Sequence, residues 1–418
     1  MTPTGVPFAN WAGNITFRAV RLHRPGSVDE LRRIVAGSRR VRALGSGHSF
    51  SPVADTTQDL VRLDRLPGAV EIDAAGSTAA VSAGAPYAEV AAELHRAGFA
   101  LANLASLPHI SVGGACATGT HGSGDTQRCL SASVTALQLV GPDGDLTELS
   151  RDVDGDTFAG SVVALGALGV VTRLRLRIEP AYEVAQRVRL GVALDEVVDR
   201  FDEVFGAAYS VSAFTDWRSG AAAVWVKSRT DRPGTGWAGG RLADRPLHPV
   251  PGLPPGSCTE QLGVAGPWHE RLPHFRPDAT PGAGKELQSE LYLPREVAPE
   301  AFAAVRGVGH LVAPVLQVAE IRTVAADDLW LSPAYRRDCV TLHFTWVPDA
   351  AAVLPVLAAV EERLMPLGAR PHWGKLTTAE PQEVIGRYPR RDQFAWLAAG
   401  CDPDGKFRND FVDSLFPV

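Results

Sequence analysis

The chain has 418 residues, of which 45% are hydrophobic and 21% charged, and its formal net charge is −6. This composition is that of a soluble globular protein, and the length exceeds what one ordinary core organises, so we expect two domains. The negative net charge argues against a nucleic-acid or anionic-membrane partner.

Cysteine usage and the N-terminal sequence indicate a cytoplasmic protein. The five cysteines, at positions 116, 129, 258, 339 and 401, form no CxxC pair. This pattern argues against both a disulfide framework and a zinc site, and we expect no metal. The first basic residue is Arg18, so no charged segment of a signal peptide is expected. The longest apolar run, near 162–171, is far shorter than a membrane span.

The N-terminal part mixes predicted strands and helices. Ser27 and Glu30 have the spacing of a capping box and predict a helix through about Ala36. Pro86 predicts the start of a second helix, which ends before Gly98. Strands are predicted at 17–22, 41–44 and 60–63, with a hairpin formed by 71–72 and 79–82. This mixture predicts an α+β or α/β fold.

Residues 41–50 join an apolar run to a loop that contains Gly45, Gly47 and one histidine, His48. Glycine lets the backbone turn sharply and bring its N–H groups close to an anion, so the loop suits a pyrophosphate. It is not a Rossmann fingerprint, because Pro52 follows and no amphipathic helix begins there. On loop composition alone, a surface turn with an idle histidine is an equally good interpretation.

Residues 103–124 carry no charged side chain and include five glycines. Such a segment suits neither a strand interior nor a helix, but it suits backbone that lies against a flat or polyanionic ligand. A flexible linker is the alternative, which the apolar Leu, Ile and Val residues disfavour. Beyond it we predict a hairpin over 134–149, a helix over 162–168 and a long strand over 169–178, so that the first domain closes near Pro180.

Two later strands carry polar residues on one face and apolar residues on the other. They are predicted at 316–324 and 341–347, after a Gly- and Pro-rich surface excursion at 229–255. The polar side chains are Glu320, Arg322, His343 and Thr345. If the strands are neighbours, these four groups face one space that could hold a polyhydroxylated ligand. A sheet with one solvated face is the alternative interpretation.

The chain supplies positive charge almost wholly through arginine, since only four of its 41 basic residues are lysines. The lysines are Lys227, Lys285, Lys375 and Lys406. Codon bias alone accounts for stray lysines, but Lys375 directly follows Gly374 in the aromatic segment 371–375. A turn-rich tail follows at 402–409.

Five motifs, taken together and in this order, resemble the FAD enzymes of the vanillyl-alcohol-oxidase type. They are Gly45-Ser-Gly-His-Ser49, Ser106-Leu-Pro-His-Ile-Ser-Val-Gly-Gly114, Thr118-Gly-Thr-His-Gly122, His372-Trp-Gly-Lys375 and Asp402-Pro-x-Gly-x-Phe407. The sugar-lactone and polyol oxidase branch matches best, from about Asn10 to the C-terminus. The resemblance implies an α+β, two-domain FAD-binding (PCMH-type) fold. It would comprise an FAD domain at 1–180, a substrate-binding cap on an antiparallel sheet at 181–370, and a C-terminal segment at 371–418 that returns to the FAD domain.

The resemblance also implies which residues hold FAD. The implied FAD contacts are Ala43, Leu44, Gly45, Ser46, Gly47, His48, Ser49, Ser106, Ser111, Gly114, Thr118, Gly119, Thr120, His121 and Val170. Within this set, His48 matches the histidine that carries the flavin covalently through its 8α-methyl group. Members with two covalent links have a cysteine where this chain has Leu107, so a single link is implied.

The resemblance implies the substrate contacts in the same way. The C2 hydroxyl would meet Ser106 and Glu320, and the C1 hydroxyl would meet Arg322 and Lys375. The distal hydroxyls would meet His343 and Thr345. Two cations at the C1 oxygen stabilise the negative charge that develops as its proton leaves. Arg322 cannot act as a base. Lys375 is disfavoured in its charged form by burial and by the like charge of Arg322, so it could accept the proton.

The activity implied is oxidation of the C1 primary alcohol of alditols, such as xylitol or sorbitol, to the aldose, with O2 reduced to H2O2. The expected partners are a small polyol and O2, and the expected state is a cytoplasmic monomer. Two alternatives stay open. One is an aldonolactone oxidase or dehydrogenase of the same family. The other is a non-catalytic protein that binds a sugar or nucleotide and needs no flavin.

Overall fold

A computed structural model describes residues 8–232, 234–279 and 286–417. Its strands are β1 (Arg21–His23), β2 (Val41–Leu44), β3 (Asp59–Arg62), β4 (Glu71–Asp73), β5 (Thr78–Ser82), β6 (Phe99–Ala100), β7 (Val134–Val140), β8 (Leu146–Ser150), β9 (Val170–Arg177), β10 (Glu179–Pro180), β11 (Glu183–Ala193), β12 (Ser210–Thr215), β13 (Ala221–Arg229), β14 (Arg241–Leu242), β15 (Ala265–Pro267), β16 (Leu287–Pro294), β17 (Leu316–Val324), β18 (Cys339–Trp346) and β19 (Arg370–Pro371).

The helices are α1 (Val28–Gly37), α2 (Tyr87–Arg96), α3 (Val112–Ala117), α4 (Arg151–Ser161), α5 (Leu194–Asp199), α6 (Phe201–Phe205), α7 (Ala298–Gly307), α8 (Gly309–Val312), α9 (Ala350–Leu364), α10 (Pro381–Ile385), α11 (Arg391–Cys401) and α12 (Asp410–Leu415). The α+β content predicted from the sequence is confirmed. Among the described residues, no helix combines the length and the apolar character needed to cross a membrane.

A small parallel sheet, in the order β1-β3-β2, presents the glycine loop at the end of β2. The preceding helix α1 begins as predicted, because the Ser27 side chain accepts a hydrogen bond from the backbone N–H of Glu30 at 3.2 Å. Leu31 and Val35 form its buried face. Strand β2 is itself largely buried, and the loop that follows it lines a cavity.

An antiparallel sheet in the order β4-β5-β9-β7-β8 confirms both predicted hairpins. The helix predicted over 162–168 is wrong, because the helix lies earlier, at α4. Residues 162–168 form buried turns in which Leu165 and Gly166 have φ angles of 53° and 69°. A short apolar run has no periodicity that separates a buried turn from a helix.

The glycine-rich stretch at 103–124 contains a helix, α3, contrary to the prediction that it suits none. Packing outweighs the low helix propensity of its glycines, since Val112, Ala115 and Cys116 are buried. Gly113 allows close contact with the neighbouring chain, because a Cβ at this position would lie 2.8 Å from Cβ of Ala83. The remainder of the stretch is irregular, as expected.

The largest sheet has the order β14-β11-β13-β12-β17-β18-β16-β19, with β15 beside β11. The two polar-faced strands are neighbours as predicted, since Glu320 on β17 pairs with His343 on β18. On the other side of β18, His343 pairs with Glu290 on β16. Helices α7 and α9 pack against β16. Three adjacent strands therefore carry polar side chains into one space.

The C-terminal segment lies against the N-terminal region. The backbone N–H of Val41 donates to the carbonyl of Lys406 at 2.9 Å, and that of Phe50 donates to the carbonyl of Gly374 at 2.8 Å. The buried guanidinium of Arg42 donates to the carbonyl of Phe407 at 2.7 Å. These bonds hold the segment that carries Lys375 beside the glycine loop. The domain boundaries at 180 and 370 stay predictions.

Candidate active site

A cavity of about 610 Å³ lies between the glycine loop, the segment 105–121 and the polar face of the largest sheet. Every implied substrate contact lines it, namely Ser106, Glu320, Arg322, His343, Thr345 and Lys375. Every implied FAD contact lines it except two, Gly119 and Val170. Gly119 instead accepts a hydrogen bond from the Tyr292 hydroxyl at 3.0 Å, and Val170 is fully buried in β9.

The backbone of the glycine loop is available to a ligand. The N–H groups of Gly47, His48 and Ser49 donate no hydrogen bond to any described residue. Gly47 has a φ angle of 72°, which glycine adopts without strain. The loop also packs closely on Ser111, whose hydroxyl accepts from the N–H of Ser46 at 3.3 Å. Successive N–H groups without partners among the described residues are donors that an anion can use.

His48 lies beside this loop with one ring atom unpartnered. Its ring packs on the Trp11 indole at a centroid distance of 4.4 Å, and its buried Nε2 has no hydrogen-bond partner among the described residues. Burial, Lys375 and His109 lower the pKa of His48 to about 4. The imidazole is therefore neutral near neutral pH and keeps a lone pair, as a nucleophilic nitrogen must.

Glu290 occupies the centre of the polar end of the cavity, although it was not predicted from the sequence. Its Oε1 lies 2.6 Å from Nη2 of Arg322 and 3.0 Å from Nε2 of His121. Its Oε2 lies 2.8 Å from Nζ of Lys375. The Glu290 side chain is 1% exposed. The carboxylate, Arg322 and Lys375 therefore form a buried cluster of one anion and two cations.

The charges of this cluster set its protonation. Burial would raise the pKa of Glu290, but Arg322 and Lys375 outweigh it and hold that pKa well below its ordinary range. Burial lowers the pKa of Lys375, Glu290 raises it, and Arg322 lowers it again, with a net decrease. Arg322 keeps its charge, since its two carboxylate neighbours outweigh burial. One cation of the pair is permanent and the other can lose its proton.

Glu320 links the cluster to two histidines. Its Oε1 lies 3.0 Å from Nε2 of His274 and 3.6 Å from Nε of Arg322, and its Oε2 lies 3.6 Å from Nδ1 of His343. Neither ring nitrogen of His343 has a hydrogen-bond partner among the described residues. Burial and Lys375 lower the pKa of His343 to about 4. A neutral imidazole with both nitrogens free suits a ligand that both donates and accepts hydrogen bonds.

Several residues of the cavity wall were not predicted. On β16, Gln288 and Glu290 lie on the face opposite to Leu287, Ser289 and Leu291, and this alternation of faces is the signal that could have identified Glu290. His274 and Phe275 come from a loop with no periodicity, so the sequence carries no local signal for them. The predicted surface excursion supplies His248, Pro249, Val250 and Leu253 to the wall.

Comparison with known families and structures shows the class to which a protein with this fold and site belongs. The chain matches a family model described as FAD binding domain over residues 20–150 and one described as D-arabinono-1,4-lactone oxidase over residues 285–415. The solved structure of a cholesterol oxidase from B. sterolicum superposes with a TM-score of 0.78 over 100% of this chain and 99% of that one, at 14% identity. The protein is an FAD-dependent oxidoreductase with the PCMH-type fold of the vanillyl-alcohol-oxidase class.

Comparison with individual relatives shows to which family within this class the chain belongs. An alditol oxidase from Streptomyces sp. is 50% identical over 413 residues, which cover 97% of this chain and 98% of that protein. An L-gulono-1,4-lactone dehydrogenase from Mycobacterium tuberculosis is 28% identical over 97% of this chain and 98% of that protein. The chain belongs to the alditol oxidase family.

Proposed function

We propose that the protein oxidises the C1 primary alcohol of alditols, such as xylitol and sorbitol, to the aldose and reduces O2 to H2O2. The observation that carries the proposal is the buried cluster of Arg322, Lys375 and Glu290, because it offers a fixed cation and a titratable amine at one wall of the cavity. Beside it, Glu320 and His343 offer hydrogen-bonding groups to a polyhydroxylated ligand. Membership of an enzyme family sets the non-catalytic alternative aside.

The residues of the cavity fit FAD. The N–H groups of the glycine loop that have no partner among the described residues suit its pyrophosphate. The Nε2 atom of His48, which also has no hydrogen-bond partner among them, suits a covalent link to the flavin. A bound FAD would supply the acceptor for the hydride of C1 and the redox centre from which electrons reach O2. We assign the remaining contacts to Ala43, Leu44, Gly45, Ser46, Ser49, Ser106, Ser111, Gly114, Thr118, Thr120 and His121, with Gly119 and Val170 behind the wall.

The chain's own residues manage the alcohol proton. The C1 hydroxyl is held by Arg322 and Lys375, and the neutral Lys375 amine accepts the proton at Nζ. Arg322 stabilises the negative charge on the oxygen, and this stabilisation is strong because the guanidinium is buried. Ser106 and Glu320 hold the C2 hydroxyl, and His343 and Thr345 hold distal hydroxyls. Each hydroxyl left without a partner in this buried site would cost about 1–3 kcal/mol.

A sugar lactone is the second candidate substrate, since the D-arabinono-1,4-lactone oxidase model matches residues 285–415. Initial rates of H2O2 formation with xylitol, sorbitol and L-gulono-1,4-lactone decide between the two. We expect the alditols to give the higher kcat/KM and O2 to serve as electron acceptor. A higher value for the lactone, or turnover only with an added dye acceptor, would contradict the proposed function.

We also propose that the protein is a cytoplasmic monomer. All five of its cysteines are free thiols, which fits a reducing compartment.

Replacing His48 with alanine is expected to release the flavin from its covalent link. After acid precipitation, the yellow colour of the unmodified protein should stay in the pellet, whereas that of His48→Ala should move to the supernatant. The physical reason is that alanine lacks a nucleophilic nitrogen. Colour in the supernatant of the unmodified protein would disprove the covalent link while leaving FAD as the cofactor.

A further inference from the structure

Lys227, a lysine that the proposed reaction does not use, lies buried on β13 and is 1% exposed. Its Nζ lies 2.5 Å from the carbonyl oxygen of Leu272, 3.2 Å from that of Pro273 and 3.3 Å from Nδ1 of His274. An ammonium has three N–H groups and no acceptor, so these three contacts satisfy it completely. Burial lowers its pKa to about 7, and the charged form predominates below that value.

His274 connects this lysine to the substrate cavity. Burial and the Lys227 charge lower the pKa of His274 to about 4, so the imidazole carries one proton. Because the ammonium can only donate, Nδ1 accepts and the proton must lie on Nε2. Nε2 then donates to Oε1 of Glu320 at 3.0 Å, which is the only polarity a carboxylate allows. The Phe214 ring packs edge-on against the imidazole and keeps it in this orientation.

The same segment also holds Ser106. The backbone N–H groups of His274 and Phe275 donate to the Ser106 carbonyl at 3.1 and 3.2 Å. Segment 272–275 therefore joins both residues proposed to bind the C2 hydroxyl. The opposite tautomer of His274 would set a lone pair against the Glu320 carboxylate and displace it.

We infer that Lys227 and His274 are positioning residues that set the preference of the enzyme for substrates with a C2 hydroxyl. The ammonium at Nδ1 and the carboxylate at Nε2 together fix the Nε2–H tautomer of His274, and His274 orients Glu320 towards that hydroxyl. The inference deepens the proposed function and rests on its assignment of Glu320.

Glycerol and 1,3-propanediol, which differ only in the C2 hydroxyl, provide the test. Below the pKa of Lys227, the variant Lys227→Met is expected to lower the ratio of kcat/KM for glycerol over 1,3-propanediol about 10-fold, as expected for the loss of a hydrogen bond to a charged group. The variant His274→Gln carries an amide nitrogen at the place of Nε2, and this donor has no tautomer. In the His274→Gln background, Lys227→Met should leave the ratio unchanged.

Thr259→Val is the matched control. The Thr259 hydroxyl donates to the Pro273 carbonyl at 2.7 Å and so anchors the same segment without touching the imidazole. We expect this variant to keep the wild-type ratio. An equal loss of the ratio in Thr259→Val and Lys227→Met would overturn the inference, because both would then act only by loosening the segment.

A readout without turnover separates this inference from the proposed function. The ¹⁵N NMR spectrum of histidine-labelled protein, with His274→Gln to assign the signal, reports which ring nitrogen of His274 carries the proton. Below the pKa of Lys227, we expect Nε2–H in the unmodified protein and a shift towards Nδ1–H in Lys227→Met. An unchanged tautomer would overturn the inference. If Lys227→Met changes the tautomer of His274 but the unmodified protein oxidises no polyol, the positioning role of Lys227 is supported and the proposed function is contradicted.

Discussion

Replacing Lys375 with methionine is expected to lower kcat by about 10²–10⁴-fold, the range that one positioned acid or base contributes. Methionine preserves the apolar stem but has no atom that accepts the alcohol proton. The flavin should stay bound, because the glycine loop and segment 106–121 are untouched. The fold should also persist, since Glu290 keeps its contacts with Arg322 and His121. Stopped-flow kinetics check the loss of turnover, and the visible spectrum of the purified variant checks the bound flavin and, through it, the fold.

Lys375→Arg separates charge from proton transfer. Arginine restores a cation beside Glu290, but it cannot lose its proton in this pH range. We expect turnover to stay as low as in Lys375→Met. Recovery of turnover in Lys375→Arg would show that the group acts only through its charge, and the proposed base would then be another residue.

Replacing Glu290 with glutamine is expected to lower the free energy of unfolding by about 3–5 kcal/mol, because removing one member of a buried ion pair leaves the other charge uncompensated. It should also shift the pH dependence of the reaction. Glu290 raises the pKa of Lys375, so its removal lowers that pKa further. Since kcat/KM increases as Lys375 loses its proton, the rising limb of the pH profile should move to lower pH.

Glu361→Gln is the matched control for Glu290→Gln. Glu361 is also a buried carboxylate, but it accepts hydrogen bonds from Thr377 and Thr378 and does not line the cavity. Its variant should lose stability without moving the rising limb. Urea unfolding and the pH dependence of kcat/KM, measured on both variants, give the comparison. An unshifted limb in Glu290→Gln would mean that the limb does not report on Lys375.

Strand alternation predicted one wall of the site well. The sequence predicts that four side chains of β17 and β18 share one face, and the structure brings all four to the cavity. They are Glu320, Arg322, His343 and Thr345. The pattern succeeds because the side chains of a strand alternate between its two faces. The same rule, applied to β16, predicts a cavity-facing Glu290, which joins the cluster from the far side of β18.

Other parts of the site depend on contacts that no local pattern encodes. His274 reaches Glu320 from an irregular loop, and its orientation depends on Lys227 and Phe214 from two different strands. The apolar composition of 162–168 predicts a helix where the structure has buried turns, because apolar composition alone does not set backbone conformation. In both cases, long-range packing decides what the local sequence leaves open.

Anaerobic mixing of the purified protein with xylitol tests the proposed reaction most directly. We expect the yellow flavin absorbance to disappear on mixing, and readmitted O2 to restore it with formation of H2O2 equimolar with flavin. The Lys375→Met protein should stay yellow on the same timescale. Flavin that stays oxidised with xylitol and sorbitol but is bleached by a sugar lactone would contradict the proposed oxidation of alditols.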